Sequence, residues 1–153
     1  MRIHQIITGG QTGVDRAAMD FALEHNITLC GWCPKGRKAE DGVIDHKYPL
    51  QETPSADYQQ RTTWNVRDSD GVLIITRGKI SGGTALGVSQ AQTLGKPTLI
   101  VDLNTPADLP AIRTWIKTHT INNLGIGGPR ESHCPGIYQQ TIEFLGVLRL
   151  DGQ

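Results

Sequence analysis

The chain has 153 residues, and its 15 Lys and Arg residues balance 15 Asp and Glu, so the formal net charge at pH 7 is zero. A chain of this length can bury roughly 70% of its unfolded surface, so we expect a single domain over residues 1–153. The neutral balance argues against a nucleic-acid or anionic membrane partner, and no apolar run approaches the roughly 20 residues that span a bilayer.

Strands and helices alternate five times along the chain. The predicted strands lie at residues 3–8, 27–32, 71–76, 98–101 and 121–126. The predicted helices lie at 14–25, 56–67, 84–94 and 109–117, and a last helix begins near Ser132, with Pro135 in its first turn. Four consecutive aliphatic residues at 72–75 are typical of a parallel strand that is buried on both faces. This alternation predicts an α/β protein with a three-layer, Rossmann-like architecture and an open, mainly parallel sheet.

The cysteines and the first residues bear on the cellular compartment. The chain enters its first strand with no apolar leader segment, and its three cysteines are an odd number. Both features favour a cytoplasmic protein in a reducing compartment. Cys30 and Cys33 have the spacing of a redox motif, but they fall on a predicted strand, where residues three apart face opposite sides. We therefore expect free, structural cysteines.

Three glycine-rich loops, at residues 9–13, 82–84 and 127–132, each follow an apolar run and precede a helical segment. Glycine lets the backbone approach a ligand closely, and the free N–H groups at a helix start attract anions. Each loop could alternatively be a tight turn needed only for packing. Since parallel strands end at the same edge of a sheet, three such loops together predict a site for a phosphate-bearing small molecule.

Several side chains beside these loops could assist. Arg37, with Lys35, could grip a phosphate from the long polar loop at 34–54, although a solvated surface run is the alternative. Arg130 lies beside two glycines and is a candidate anion clamp. Arg61, Asn65 and Asp68 share one polar helix face. It could simply be exposed to solvent, and it contributes to the site only if it turns towards the glycine edge. The candidate ligand residues are Gly9, Gly10, Gln11, Thr12, Gly13, Lys35, Arg37, Gly82, Gly83, Thr84, Gly128, Arg130 and Ser132.

The need for one ligand to reach all three loops constrains the sheet. Adjacent strands lie about 4.8 Å apart, so the first, third and fifth strands must be near neighbours. With a right-handed first crossover, the strand order that satisfies this is 2-1-5-3-4. We expect helices one and two to cover one face of this sheet and helices three and four the other.

Longer segments resemble a known family. In order, GGQTGVDRAAMD, GWCPKGRKAEDG, YPLQET, RTTWNVRDSDGVLI, SGGT and GPRES are similar to the molybdenum carrier family, over nearly the whole chain. That family is a circularly permuted relative of the lysine-decarboxylase-like (LOG-type) Rossmannoid proteins. The resemblance implies a ligand of the nucleotide or molybdenum cofactor (molybdopterin) type. It places site roles on Gly9, Gly10, Thr12, Gly13, Lys35, Arg37, Gly82, Gly83, Thr84 and Arg130.

One departure from the LOG-type pattern bears on activity. LOG-type phosphoribohydrolases carry a PGGxGTxxE signature with a catalytic Glu, whereas the stretch from Ser81 to Gly87 has no Glu. We therefore expect no catalytic residues and a binding or carrier role, with a nucleotide-processing enzyme of the phosphoribohydrolase type as the alternative. The sequence shows no cluster of thiolates or histidines that would bind a bare metal, so we expect no metal bound directly by the protein. Molybdenum coordinated by the pterin's own sulfur atoms would need no protein ligand. We also expect a homo-oligomer.

Overall fold

The computed structural model describes residues 2–152. In chain order the elements are β1 (Gln5–Ile7), α1 (Val14–Glu24), β2 (Thr28–Cys30), β3 (Trp32–Cys33), β4 (Lys38–Ala39), β5 (Gly42–Val43), β6 (Gln51–Glu52), α2 (Tyr58–Asp68), β7 (Gly71–Thr76), α3 (Gly82–Thr93), β8 (Thr98–Asp102), α4 (Leu109–Thr118), β9 (Asn123–Gly127) and α5 (Ile137–Leu148). The main sheet has the order β2-β1-β9-β7-β8, and all its pairs are parallel. The predicted fold class and the predicted order 2-1-5-3-4 are thus confirmed, since β7, β8 and β9 are the third, fourth and fifth predicted strands.

Strand β7 shows how the sheet separates two apolar cores. All six of its residues are buried, as the aliphatic run predicts. Leu73 and Ile75 point into the larger core, whereas Val72 and Ile74 point into a smaller one on the opposite face. Successive side chains of a strand face opposite sides, so a strand covered on both faces needs apolar residues at every position.

The helices are distributed differently from our expectation. Helices α1, α4 and α5 pack on the larger core, and α2 and α3 pack on the smaller one, so the predicted pairing of helices one with two and three with four is wrong. The reason is the handedness of the crossovers. The connections through α1 and α4 cross the sheet in one direction, and those through α2 and α3 cross it in the other. Right-handed crossovers in opposite directions place their helices on opposite faces.

Two elements differ from the sequence prediction by more than a shift of one or two residues at an end. The second predicted strand is broken at Gly31, whose φ of +138° interrupts the pairing, and β3 pairs instead with β6 in a separate small sheet. The last helix starts at Ile137 rather than near Ser132. There the Glu131 carboxylate accepts the backbone N–H groups of Gly136 and Tyr138, at 2.6 and 2.9 Å, and so caps α5 from outside the helix. Among residues 2–152, no helix is long and apolar enough to cross a membrane.

The long loop at 34–54 is ordered around one buried arginine. The Arg37 guanidinium donates hydrogen bonds of 2.9–3.1 Å to the carbonyl oxygens of Ile44, Asp45, Tyr48 and Leu50. Only 7% of Arg37 is exposed, so these four acceptors replace water around its charge. The loop also carries the hairpin formed by β4 and β5.

A half-buried carboxylate connects this loop to the helices. Asp20 on α1 accepts hydrogen bonds from the hydroxyl groups of Tyr48 in the loop and Tyr138 on α5. Burial is the main cause that raises the pKa of both phenols, and the bond to Asp20 adds to it, because an ionised phenol cannot donate to a carboxylate. The three side chains therefore connect three separate parts of the chain.

This cluster predicts a loss of stability at alkaline pH. Burial and the bond to Asp20 raise the pKa of Tyr138 from 10.0 to about 12. The stabilisation from the neutral phenol is complete below pH 10.0 and is lost as the pH rises through about 12. Tyr138→Phe should remove part of this loss, measured as the free energy of unfolding by urea at increasing pH. An unchanged pH profile in the variant, together with an unchanged tyrosinate absorbance titration, would contradict this account.

Candidate functional site

A cavity of about 420 Å³ lies at the carboxyl edge of the central strands. Its lining comes from the loops after β1, β7 and β9 and from one face of α2. The structure therefore brings the three glycine-rich loops to one cavity. Seven of the candidate ligand residues line it, namely Gly9, Gln11, Gly82, Gly83, Thr84, Gly128 and Arg130.

The cavity has a buried floor and an open mouth. The polar floor residues are all at least nine-tenths buried, and they are Thr8, Asp15, Asn65, Ser69 and Thr76. One wall is apolar and includes Val66, Val72 and Ile74. The residues at the mouth are exposed, and they include Lys79, Ser81, Gly82, Gly83, Arg130 and His133. A ligand would therefore meet cations and backbone N–H groups first and apolar side chains deeper in.

A buried ion pair forms part of the floor. The Asp15 carboxylate accepts hydrogen bonds from Arg61 Nη1 at 3.1 Å and from the backbone N–H of Gln11 at 3.2 Å. Burial raises the pKa of Asp15 above its usual value, and Arg61 counteracts this rise. Gly9 lies against the same guanidinium, since a Cβ at position 9 would be 1.8 Å from Arg61 Nη1. Arg61 and Asn65 thus line the cavity, whereas Asp68, the third residue of the same helix face, lies outside it and accepts a hydrogen bond from Trp32 Nε1.

The first and third glycine loops pack against each other through their backbones. A Cβ at Gly13 would lie 2.4 Å from the carbonyl oxygen of Pro129. A Cβ at Gly128 would lie 2.1 Å from the carbonyl oxygen of Ile75 and 2.6 Å from Val14 Cγ2. These glycines are needed for the close approach of β1, β9 and β7 at this edge.

Six candidate ligand residues do not line the cavity. Gly10 faces the side chains of Ile44 and Leu50, and Gly13 faces the third loop. Arg37 is buried among carbonyl oxygens, so its predicted grip on a phosphate is corrected to a structural role in the loop. Lys35 is exposed elsewhere on the same loop. The other two, Thr12 and Ser132, contact Glu40.

Glu40 was not among the predicted site residues. It lies between β4 and β5, and its carboxylate accepts hydrogen bonds from the Thr12 hydroxyl, the Ser132 hydroxyl and the Ser132 backbone N–H. Arg130 Nε lies 3.6 Å from Glu40 Oε1. These hydrogen bonds lower the pKa of Glu40, and the bond from the Ser132 hydroxyl has the largest effect. Its donors come from loops that are 28 and 92 residues away in sequence, so no local motif identifies it.

The mouth brings together further residues that were not predicted. Ser81 Oγ lies 3.2 Å from His133 Nε2, across the gap between the second and third glycine loops. Cys134 also lines the cavity, and all three cysteines are free, as expected. Among residues 2–152, no group of three or more His, Cys, Asp or Glu side chains could hold a metal ion.

The contrast between two site glycines gives a test of this packing. Gly128→Ala should destabilise the protein by about 1–3 kcal/mol, because the new methyl group would overlap backbone atoms. Gly83→Ala is the matched control, since no atom lies within 4 Å of a Cβ there. Urea denaturation of both variants measures the difference. Equal stabilities would contradict the close approach at Gly128.

Comparison with known proteins agrees with this architecture. Residues 6–148 match the model of the circularly permutated YpsA SLOG family. A crystal structure from Syntrophus aciditrophicus SB, of a "putative molybdenum carrier protein", is similar with a TM-score of 0.92 and 47% identity, over 96% of this chain and 95% of that one.

The E-1-hydroxy-2-methyl-but-2-enyl-4-diphosphate reductase from Plasmodium falciparum matches with a TM-score of 0.42 and 15% identity, over 98% of this chain and 54% of that one. This similarity is too low to relate the two proteins. No curated protein matches the chain. Because the family model covers residues 6–148, the chain belongs to the circularly permutated YpsA SLOG family.

Proposed function

We propose that the protein is a non-catalytic binding or carrier protein for a phosphorylated small molecule, either a molybdopterin-type cofactor or a nucleotide. The observation that carries the proposal is the convergence of three glycine-rich loops on one cavity with cations at its mouth. The name of the Syntrophus aciditrophicus protein supports a carrier role for a molybdenum-containing ligand.

The start of α3 offers a binding position for the phosphate. Gly82, Gly83 and Thr84 line the cavity, and no side chain caps this helix. The first N–H groups of an uncapped helix lack partners and favour an anion. Lys79 and Arg130 at the mouth add positive charge.

The rest of the cavity fits a ring system. Its volume of about 420 Å³ lies in the usual range for small-molecule sites, and Val66, Val72 and Ile74 form an apolar wall. A molybdenum atom, as cargo, would be held by the pterin's own sulfur atoms, because the described residues provide no cluster of metal ligands.

The lining also bears on catalysis. Asp15 is the one acidic residue in the lining among residues 2–152, and it is buried and paired with Arg61. Cleavage of an N-glycosidic bond requires a group that can transfer a proton at the reacting atoms, and the second glycine loop supplies no carboxylate for this. This supports binding over hydrolysis.

Identification of the bound molecule tests the proposed function directly. The purified protein is denatured, and the released small molecules are identified by mass spectrometry. We expect a phosphorylated pterin or an intact nucleotide at a stoichiometric amount. A free base together with ribose phosphate would instead support the nucleotide-processing enzyme.

Arg130→Ala should weaken the binding of a nucleoside monophosphate by about tenfold or more, because a charge-assisted hydrogen bond contributes roughly 1.5–3 kcal/mol. Titration calorimetry measures the affinity. Arg67→Ala is the control, since Arg67 is exposed on α2 and pairs with Asp68 outside the cavity. The same affinity in both variants would remove Arg130 from the site.

We expect no phosphoribohydrolase activity. The protein is incubated with nucleoside monophosphates, and the free base is measured by chromatography. Multiple turnovers that are lost in Asp15→Asn would contradict the carrier function and would make Asp15 the acid–base group.

A further inference from the structure

The carboxylate of Glu40 is held in an arrangement that resembles the binding of a ligand anion. Its two oxygens accept hydrogen bonds from the Thr12 hydroxyl, the Ser132 hydroxyl and the Ser132 backbone N–H, the last at 3.2 Å. The Arg130 guanidinium lies 3.6 Å away. Two hydroxyl groups, one backbone N–H and one guanidinium are the donors that proteins use for phosphate and carboxylate groups.

These donors belong to loops that also form the cavity. Thr12 lies in the first glycine loop, and Ser132 is the last residue of the third. Arg130 joins the two regions, because its side chain both lines the cavity mouth and approaches Glu40. An anionic group at the cavity mouth is therefore next to the position that the Glu40 carboxylate fills.

We propose that Glu40 occupies an anion subsite formed by Thr12, Ser132 and Arg130, and that the phosphate of the ligand displaces it. The hairpin of β4 and β5 then acts as a lid, closed by its own carboxylate and released by the incoming anion. This inference rests on the proposed function for the class of the ligand, a phosphate ester. Phosphate and Glu40 compete because both are anions that need the same donors.

The construction of the hairpin permits such a movement at its tip. The base is fixed by the buried side chains of Arg37 and Ile44. At the tip, Gly42 and Val43 are exposed, with 72% of the Val43 side chain open to solvent. The remaining ties of the tip are the Asp41–Arg16 ion pair and the bond from the Glu40 backbone N–H to Gln11 Oε1. Arg16 donates to both Asp41 carboxylate oxygens, at 2.9 and 3.1 Å. Neither tie engages the Glu40 carboxylate, which can leave its donors while both ties persist.

Glu40 carries its negative charge at neutral pH. Its hydrogen bonds hold the pKa of the carboxyl below its usual 4.5, and the largest effect comes from the Ser132 hydroxyl. Glu40 is therefore an anion throughout the neutral range, where it repels a second anion from the same donors. Removal of this charge should open the subsite.

The test compares two variants that make the same change of side chain, one inside and one outside the proposed subsite. Glu40→Gln removes the competing anion, and Glu143→Gln is the matched control, since Glu143 is exposed on α5, contacts Gln139 and does not line the cavity. Inorganic phosphate is the first probe, measured by titration calorimetry. Glu40→Gln should bind it about tenfold more tightly or better, a difference of about 1.4 kcal/mol, while Glu143→Gln should match the wild type. Glu40→Ala should behave like Glu40→Gln.

A second measurement tests the movement of the hairpin and the binding of a ligand in the cavity separately. A nucleoside monophosphate added to the wild type should speed hydrogen exchange of the backbone amides at 38–43. Equal phosphate affinities in the Glu40 and Glu143 variants would overturn the proposed subsite, even if the nucleotide binds. Tighter phosphate binding in the Glu40 variants without any nucleotide binding would support the subsite and exclude a nucleotide as the ligand of the proposed function.

Discussion

The position of β9 in the middle of the sheet is the constraint on which the rest of the site depends. This last strand pairs with β1 on one side and with β7 on the other. The loops that follow these three strands carry the glycine-rich segments, and neighbouring strands are only about 4.8 Å apart. One small cavity can therefore be bordered by all three loops. With β9 at the edge of the sheet, the third loop would be separated from the other two.

The glycines at this edge divide into two kinds, which the sequence does not distinguish. Gly13 and Gly128 allow backbones to approach within distances that any side chain would block. Gly82 and Gly83 have open space around them and line the cavity at the start of an uncapped helix. The first kind brings the strands and loops together, and the second leaves N–H groups accessible to a ligand. Both are necessary, since the ligand position exists only where the loops already converge.

Charge is arranged so that anions are favoured at the mouth and not at the floor. At the floor, Asp15 and Arg61 neutralise each other in a buried pair, so this end offers no net positive charge. At the mouth, Lys79 and Arg130 are exposed, and the Glu40 carboxylate lies 3.6 Å from Arg130 Nε. Glu40 approaches the mouth from outside, through the donors on Thr12 and Ser132. A phosphate ester would enter with its ring towards the apolar wall and its phosphate at the mouth.

From the sequence alone, hydrophobic periodicity and turn residues determined the α/β class, because these signals are local. The strand order followed from the crossover rules together with the hypothesis that one ligand reaches all three glycine loops. Only the tertiary structure decided what the charged side chains contact. Arg37 and Arg130 look alike as cations beside glycines, yet four carbonyl oxygens enclose Arg37 and Arg130 reaches the cavity. Glu40 meets Ser132 across 92 residues, and His133 meets Ser81 across 52. Such contacts depend on where loops from distant strands lie in space, and the spacing of residues within one segment of the sequence does not specify those positions.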